Sequence, residues 1–113
     1  MKLTEEQLRT TEPYCTILNK LWKGVKYAVP VKEMCYDTGL NDRALRKCVE
    51  TIRESGLCII SDAYGYYLPE NEADLERYIR RTEKTARSYF LSLRSAKKAL
   101  REMQTGQQMK LPE

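Results

Sequence analysis

The side chains of this chain that could do chemistry are its cations. Histidine is absent, and with it the usual general base; no serine or cysteine lies in a nucleophile motif, and no glycine-rich loop is present to cradle a phosphate. Cys15, Cys35, Cys48 and Cys58 stand twenty, thirteen and ten residues apart, with no Cys-x-x-Cys pair. They read as small buried thiols in a reducing compartment, not as zinc ligands. The chain is therefore expected to be no enzyme and to hold neither metal nor cofactor. What remains is arginine and lysine, concentrated in two stretches: Arg43, Arg46, Lys47 and Arg53, then Arg77, Arg80, Arg81, Lys84, Arg87, Arg94, Lys97, Lys98 and Arg101. Their chemistry is the attraction and hydrogen bonding of anions.

The distribution of charge sharpens that reading. Residues 1–76 carry ten basic and thirteen acidic side chains, whereas residues 77–101 carry nine basic and only Glu83 as an acid. A basic stripe is most often a solvated face, but an excess of this density attracts a polyanion unless an acidic partner covers it. Nucleic acid is the commonest polyanion of a cytoplasm. With no run of eighteen apolar residues and no signal-peptide pattern, the chain is expected to be soluble and cytoplasmic, without a membrane partner.

The elements that must position the first basic stretch are legible from spacing. Thr4 and Gln7 form a capping box that opens a short helix. Thr11-Glu12-Pro13 opens a second, predicted over 12–23, with Tyr14, Ile17, Leu18, Leu21 and Trp22 as its apolar stripe and Trp22 as core filler. Residues 25–29 suit a short strand. Val31, Met34 and Cys35 predict a helix over 31–37, Gly39 supplies a tight turn, and Asn41 caps a helix over 42–55. In that helix Leu45, Cys48, Val49 and Ile52 share one face, while Arg43, Arg46, Lys47, Glu50 and Arg53 take the other. Gly56 stops it, and strands at 57–61 and 65–68 close into a hairpin.

Helix, turn, helix, then hairpin is the order of a winged helix-turn-helix, in the mainly α (α+β) class. Val31-Lys32-Glu33-Met34, Gly39 through Arg46, Ile52 through Leu57 and Gly65-Tyr66-Tyr67-Leu68 resemble the winged-helix DNA-binding family typified by the biotin repressor's amino-terminal domain. The match covers about a third of the chain. The resemblance implies double-stranded DNA as partner, with the helix that starts at Asn41 in the major groove, Asn41, Arg43, Arg46 and Lys47 facing DNA, and the hairpin on neighbouring backbone or minor groove. Arg53, with Arg80 and Arg81, would hold the phosphate backbone. Asp42 in the first turn of that helix, and Asp62 with Tyr64 at the hairpin tip, depart from the family pattern.

The chain is expected to divide into a winged-helix domain at 1–70, a long helix at 71–104 and a flexible tail at 105–113. No Gly or Pro interrupts Glu72 to Gln104, so the helix would run roughly 50 Å. Leu75, Ile79, Thr82, Ala86, Tyr89, Leu93, Ala96, Leu100 and Met103 follow gaps of four and three without exception. Such a repeat is a coiled-coil seam, and Tyr89, Leu93 and Leu100 would dimerise it with a second copy, parallel or antiparallel. A fold-back or a different protein partner is the alternative. Two functions follow: a small bacterial or phage DNA-binding protein acting as a transcriptional regulator, or a winged-helix docking module, with an acidic body, on a nucleic-acid machine, as a replication accessory or an inhibitor such as an anti-CRISPR.

Overall fold

A computed structural model describes residues 2–106, which fall into two units meeting between Leu75 and Glu76. The first is mainly helical, with one two-stranded antiparallel hairpin; the second is the remainder of a single long helix. Helix α1, Glu5–Thr10, opens on the predicted capping box: the Thr4 hydroxyl accepts from the Gln7 amide at 3.1 Å and the Gln7 side chain accepts from the Thr4 amide at 2.9 Å.

Helix α2, Tyr14–Lys20, is shorter than predicted at both ends. Beyond Lys20 the backbone finds another partner. The Leu68 amide donates to the Trp22 carbonyl at 2.8 Å and the Gly24 amide to the Leu68 carbonyl at 2.9 Å, so Leu21 turns extended and the helix stops. Trp22 consequently leaves the helical stripe, and at 66% exposure it is not core filler.

The strand expected at 25–29 does not form. Its place is taken by a 3-10 turn over Val25–Tyr27, and pairing with the hairpin survives as two isolated bridges, Lys23 with Leu68 and Val29 with Tyr66. The cause is a mismatch of lengths. Six residues of extended chain would advance about 20 Å, whereas their two partners are two residues apart on one strand, about 7 Å. The surplus backbone is taken up in the tight turn.

Helix α3, Val31–Thr38, ends at Gly39 in the left-handed region, φ 74°, and helix α4, Asp42–Glu54, begins at Asn41, whose side-chain oxygen accepts from the Ala44 amide at 2.8 Å. Leu45, Val49 and Ile52 of α4 are buried against Leu8, Ile17 and Met34, so each of the first four helices contributes to one core. Lys20 links α2 to α3 by ion pairs to Asp37 and, at 3.7 Å, Glu33; the Asp37 hydrogen bond is the leading cause of a pKa raised above the ordinary lysine value. Strands β1, Ile60–Asp62, and β2, Gly65–Tyr67, pair Ile60 with Tyr67 and Asp62 with Gly65. They are shorter than the predicted 57–61 and 65–68, and the Ile59 carbonyl is claimed by Arg53 instead of a strand.

Helix α5, Glu72–Gln104, runs unbroken for 33 residues, as the absence of Gly and Pro predicts. Asn71 caps it by accepting from the Asp74 amide at 3.0 Å, and buried Asp74 accepts from the Glu70 amide at the same distance. Gly106, φ 77°, follows its last turn. Of the tail expected at 105–113, residues 107–113 lie outside the described residues. Among those described, no helix is long and apolar enough to cross a membrane.

Gly65 is the glycine least able to take a side chain. Its φ is 125°, and a Cβ there would lie 2.0 Å from the Val29 carbonyl oxygen, whereas one at Gly39 would meet open space. Gly65→Ala should therefore cost more than about 2 kcal/mol, through strain plus loss of the Val29–Tyr66 bridge, and Gly39→Ala only about 1–2 kcal/mol for the left-handed backbone. Urea unfolding of the two variants checks the difference, with Gly65→Ala expected to have the lower midpoint.

Candidate nucleic-acid interface

The sequence of α4 dictates its two faces. Apolar residues every third or fourth position drive one side into the core, and the residues between them must face water. Arg43, Arg46, Lys47 and Glu50 are all exposed and together line one shallow groove on the outer side of the helix. Three cations on adjacent turns, offset by one acid, form a surface that can donate hydrogen bonds to acceptors on a base edge or a phosphate. Asn41 sits at the head of this face. Its side-chain oxygen accepts the capping bond, and its amide NH2 carries two further donors.

Arg53 is placed differently. Its Nε and Nη2 donate to the Ile59 carbonyl at 2.9 and 2.7 Å, and Nη2 reaches the Ser61 hydroxyl at 3.2 Å. The half-buried guanidinium thus ties the last turn of α4 to the start of the hairpin. Arg46, Glu50, Arg53, Ser61 and Tyr66 line a second concavity where helix and hairpin meet. Burial pushes the Tyr66 phenol above its ordinary pKa, with opposing pulls from Arg53 and Arg46.

The acids flanking α4 are largely committed to the fold. Asp37 pairs with Lys20. Asp42 accepts from the Cys35 thiol at 3.4 Å, and burial, followed by this hydrogen bond, raises the Cys35 pKa. At the hairpin tip Asp62 accepts from the Tyr64 amide at 2.8 Å and from the Tyr67 hydroxyl at 2.9 Å, which makes it a turn former. Tyr64 is the large side chain left projecting, 70% exposed. All four cysteines are free and only half-buried, and the described residues contain no group of three or more His, Cys, Asp or Glu that could hold a metal ion.

One surface was missed from the sequence because a helical stripe was extended past the helix. Trp22 and Tyr27, with ring centroids 6.4 Å apart, and Lys26, 5.7 Å above the Tyr27 ring, form an exposed aromatic and cationic cluster around the 3-10 turn. The signal available was Gly24, which ends the apolar pattern two residues after Trp22.

In the second unit Arg80 is exposed and the Arg81 guanidinium stands 5.8 Å from the Tyr78 ring. Arg80, Lys84, Arg87, Arg94, Lys98 and Arg101 are all exposed and make no ion pair among the described residues. The seam expected to dimerise is equally open: Tyr89 is 73%, Leu93 50% and Leu100 55% exposed. Compared with protein-family models, curated proteins and solved structures, the chain shows no significant match to any.

The different placement of Arg53 and Arg43 has a measurable consequence. Loss of a charged hydrogen bond to a buried carbonyl costs roughly 1.5–3 kcal/mol, whereas an exposed substitution stays within about 0.5 kcal/mol. Arg53→Ala should therefore lower the urea midpoint clearly and Arg43→Ala hardly at all. Equal midpoints would make Arg53 a surface residue in effect.

Proposed function

We propose that the first unit is a winged helix that binds double-stranded DNA through α4, and that the protein is a small transcriptional regulator of bacterial or phage type. The observation that carries this reading is the outward row of Arg43, Arg46 and Lys47 beside the Asn41 cap, on a helix whose opposite face is buried. The N-terminal half of a helix held this way can enter a major groove, about 12 Å wide, with arginine reaching guanine and the Asn41 amide reaching an acceptor. Arg53 serves the interface indirectly, by fixing the hairpin relative to α4. Helix α5 pairs with a second copy through Tyr89, Leu93 and Leu100, which gives the regulator two reading helices.

The docking-module reading rests on the acids near α4, and it is the weaker of the two. Asp37, Asp42 and Asp62 each have a partner within the fold, although Asp37 and Asp42 stay exposed, whereas Glu50 and Glu54 are exposed and form no ion pair among the described residues.

Selection from random-sequence duplex with the purified protein separates them. A regulator enriches a motif, and Arg46→Ala with Lys47→Ala abolishes it at about 1–3 kcal/mol for each lost base contact. Failure to enrich any motif would sink the sequence-specific regulator in favour of a protein partner. Self-association is checked separately: Leu93→Asp places a charge in the seam and should convert a dimer to a monomer in sedimentation, with the first unit still folded.

A further inference from the structure

Helix α5 carries a second repeat in phase with its apolar seam. With Ile79, Ala86, Leu93 and Leu100 at the first (a) position of each heptad, Arg80, Arg87, Arg94 and Arg101 occupy every following b position, seven residues apart. All four are exposed. Lys84 and Lys98 sit beside them at f positions, and the groove along this face is lined by Leu91, Arg94, Ser95, Lys98 and Arg101. The row from Arg80 to Arg101 spans about 32 Å, close to one turn of duplex DNA. The c and g positions over the same length carry Arg81, Thr85, Ser88, Ser92, Ser95 and Ala99, a single cation among six.

From this phasing we infer that α5 pairs antiparallel with a second copy, and that the pair forms a sequence-independent binding face for the phosphate backbone of duplex DNA. The inference rests on the reading of α5 as self-associating and is independent of the role of α4.

The orientation follows from the residues that flank the seam. In an antiparallel pair the e positions of the two helices face each other. Register on the seam then sets Glu83 against Lys97 of the second copy, twice by symmetry, and Phe90 against its own counterpart at the centre. The seam layers become Ile79 with Met103, Leu93 with Tyr89, Leu100 with Thr82 and Ala86 with Ala96, which sets large side chains against small or matched ones. A parallel pair instead faces g against e, giving Tyr78 with Glu83, Thr85 with Phe90 and Ser92 with Lys97, in which no charge is complemented.

Orientation also decides where the arginines go. Position b lies next to e on the helix surface, so antiparallel pairing brings both arginine rows to one flank, whereas parallel pairing sends them to opposite flanks. The antiparallel pair therefore collects eight guanidinium groups on a single face, which neither copy has alone. Guanidinium at every b position suits phosphate, which it can hold with two parallel hydrogen bonds. A lipid surface fits less well: an interfacial helix buries its apolar stripe and keeps cations at that stripe's edges, and here the row points largely away from the stripe.

The first test uses the full-length protein in sedimentation equilibrium. Glu83→Lys and Lys97→Glu should each weaken dimerisation roughly tenfold, because two attractive pairs become repulsive, and the doubly swapped variant should return to within about threefold of wild type. A double swap as weak as the two single changes combined, or a wild type that is monomeric at tens of micromolar, overturns the proposal. The second test is made in the Arg46→Ala, Lys47→Ala background, so that its failure counts against α5 alone. Here Arg87→Ala with Arg94→Ala, four cations per pair, should reduce the slope of log affinity for random-sequence duplex against log salt by about three to four. An unchanged slope, or binding to phosphatidylserine vesicles with none to duplex, refutes the phosphate-backbone assignment.

Discussion

The first unit depends on one close approach of backbone to backbone. Val29 and Tyr66 exchange both amide-to-carbonyl bonds, at 2.9 and 3.0 Å, and the neighbouring Gly65 leaves no room for a side chain against the Val29 carbonyl. The crossing holds the hairpin against the entry to α3, and α3 leads through the Gly39 turn into α4. Arg53 closes the circuit from the other end by bonding the Ile59 carbonyl ahead of β1. A helix of thirteen residues, whose outward face is mostly charged, is thereby fixed at both ends. Preorganisation of this kind matters for recognition, since side chains that must find base edges lose affinity for every degree of freedom the scaffold leaves them.

Local chemistry was legible wherever one residue type answers one backbone need. The capping box at Thr4 and Gln7, the Asn41 cap, the left-handed Gly39 and the uninterrupted α5 are each a short-range arrangement, and the structure has them as expected. What the sequence did not reveal is competition between distant segments. Nothing local to residues 25–29 says that the bridge partners of Lys23 and Val29, Leu68 and Tyr66, are only two residues apart, so an apparently good strand becomes a 3-10 turn. The same competition ends α2 early and puts Trp22 at the surface. Arg53 belongs in this group too: from spacing it is one more cation on an outward face, and only the position of the Ile59 carbonyl makes it structural. The candidate site was thus readable as a row of cations on α4, but not in the division of labour within that row.

The two units solve the problem of stability in opposite ways. The first buries Leu8, Ile17, Met34, Leu45, Ile52 and Ile59 almost completely, so its helices can be short and their propensities need not be high. From Ile79 onward, α5 has no such burial; its large apolar residues stand half or more exposed. Here the chain relies on intrinsic propensity, with Ala, Leu, Arg, Lys, Glu and Met filling most positions and no Gly or Pro between Glu72 and Gln104.

Charge works against that propensity. Arg77 with Arg80, Arg80 with Lys84, Lys84 with Arg87, Arg94 with Lys98 and Lys98 with Arg101 are like-charged neighbours at three- or four-residue spacing, each destabilising an isolated helix by about 0.2–0.5 kcal/mol. Glu76, Glu83 and Glu102 offset only part of this. Any polyanion laid along the row replaces repulsion by attraction, so binding and helix stability reinforce each other, and both weaken as salt screens the charges. A seam with Thr82, Ala86 and Ala96 among its layers gives weaker pairing than continuous leucine and isoleucine would. In the proposed pair, self-association of α5 and attraction for phosphate would therefore be coupled quantities: a bound backbone would lower the repulsion that opposes bringing two such basic helices side by side.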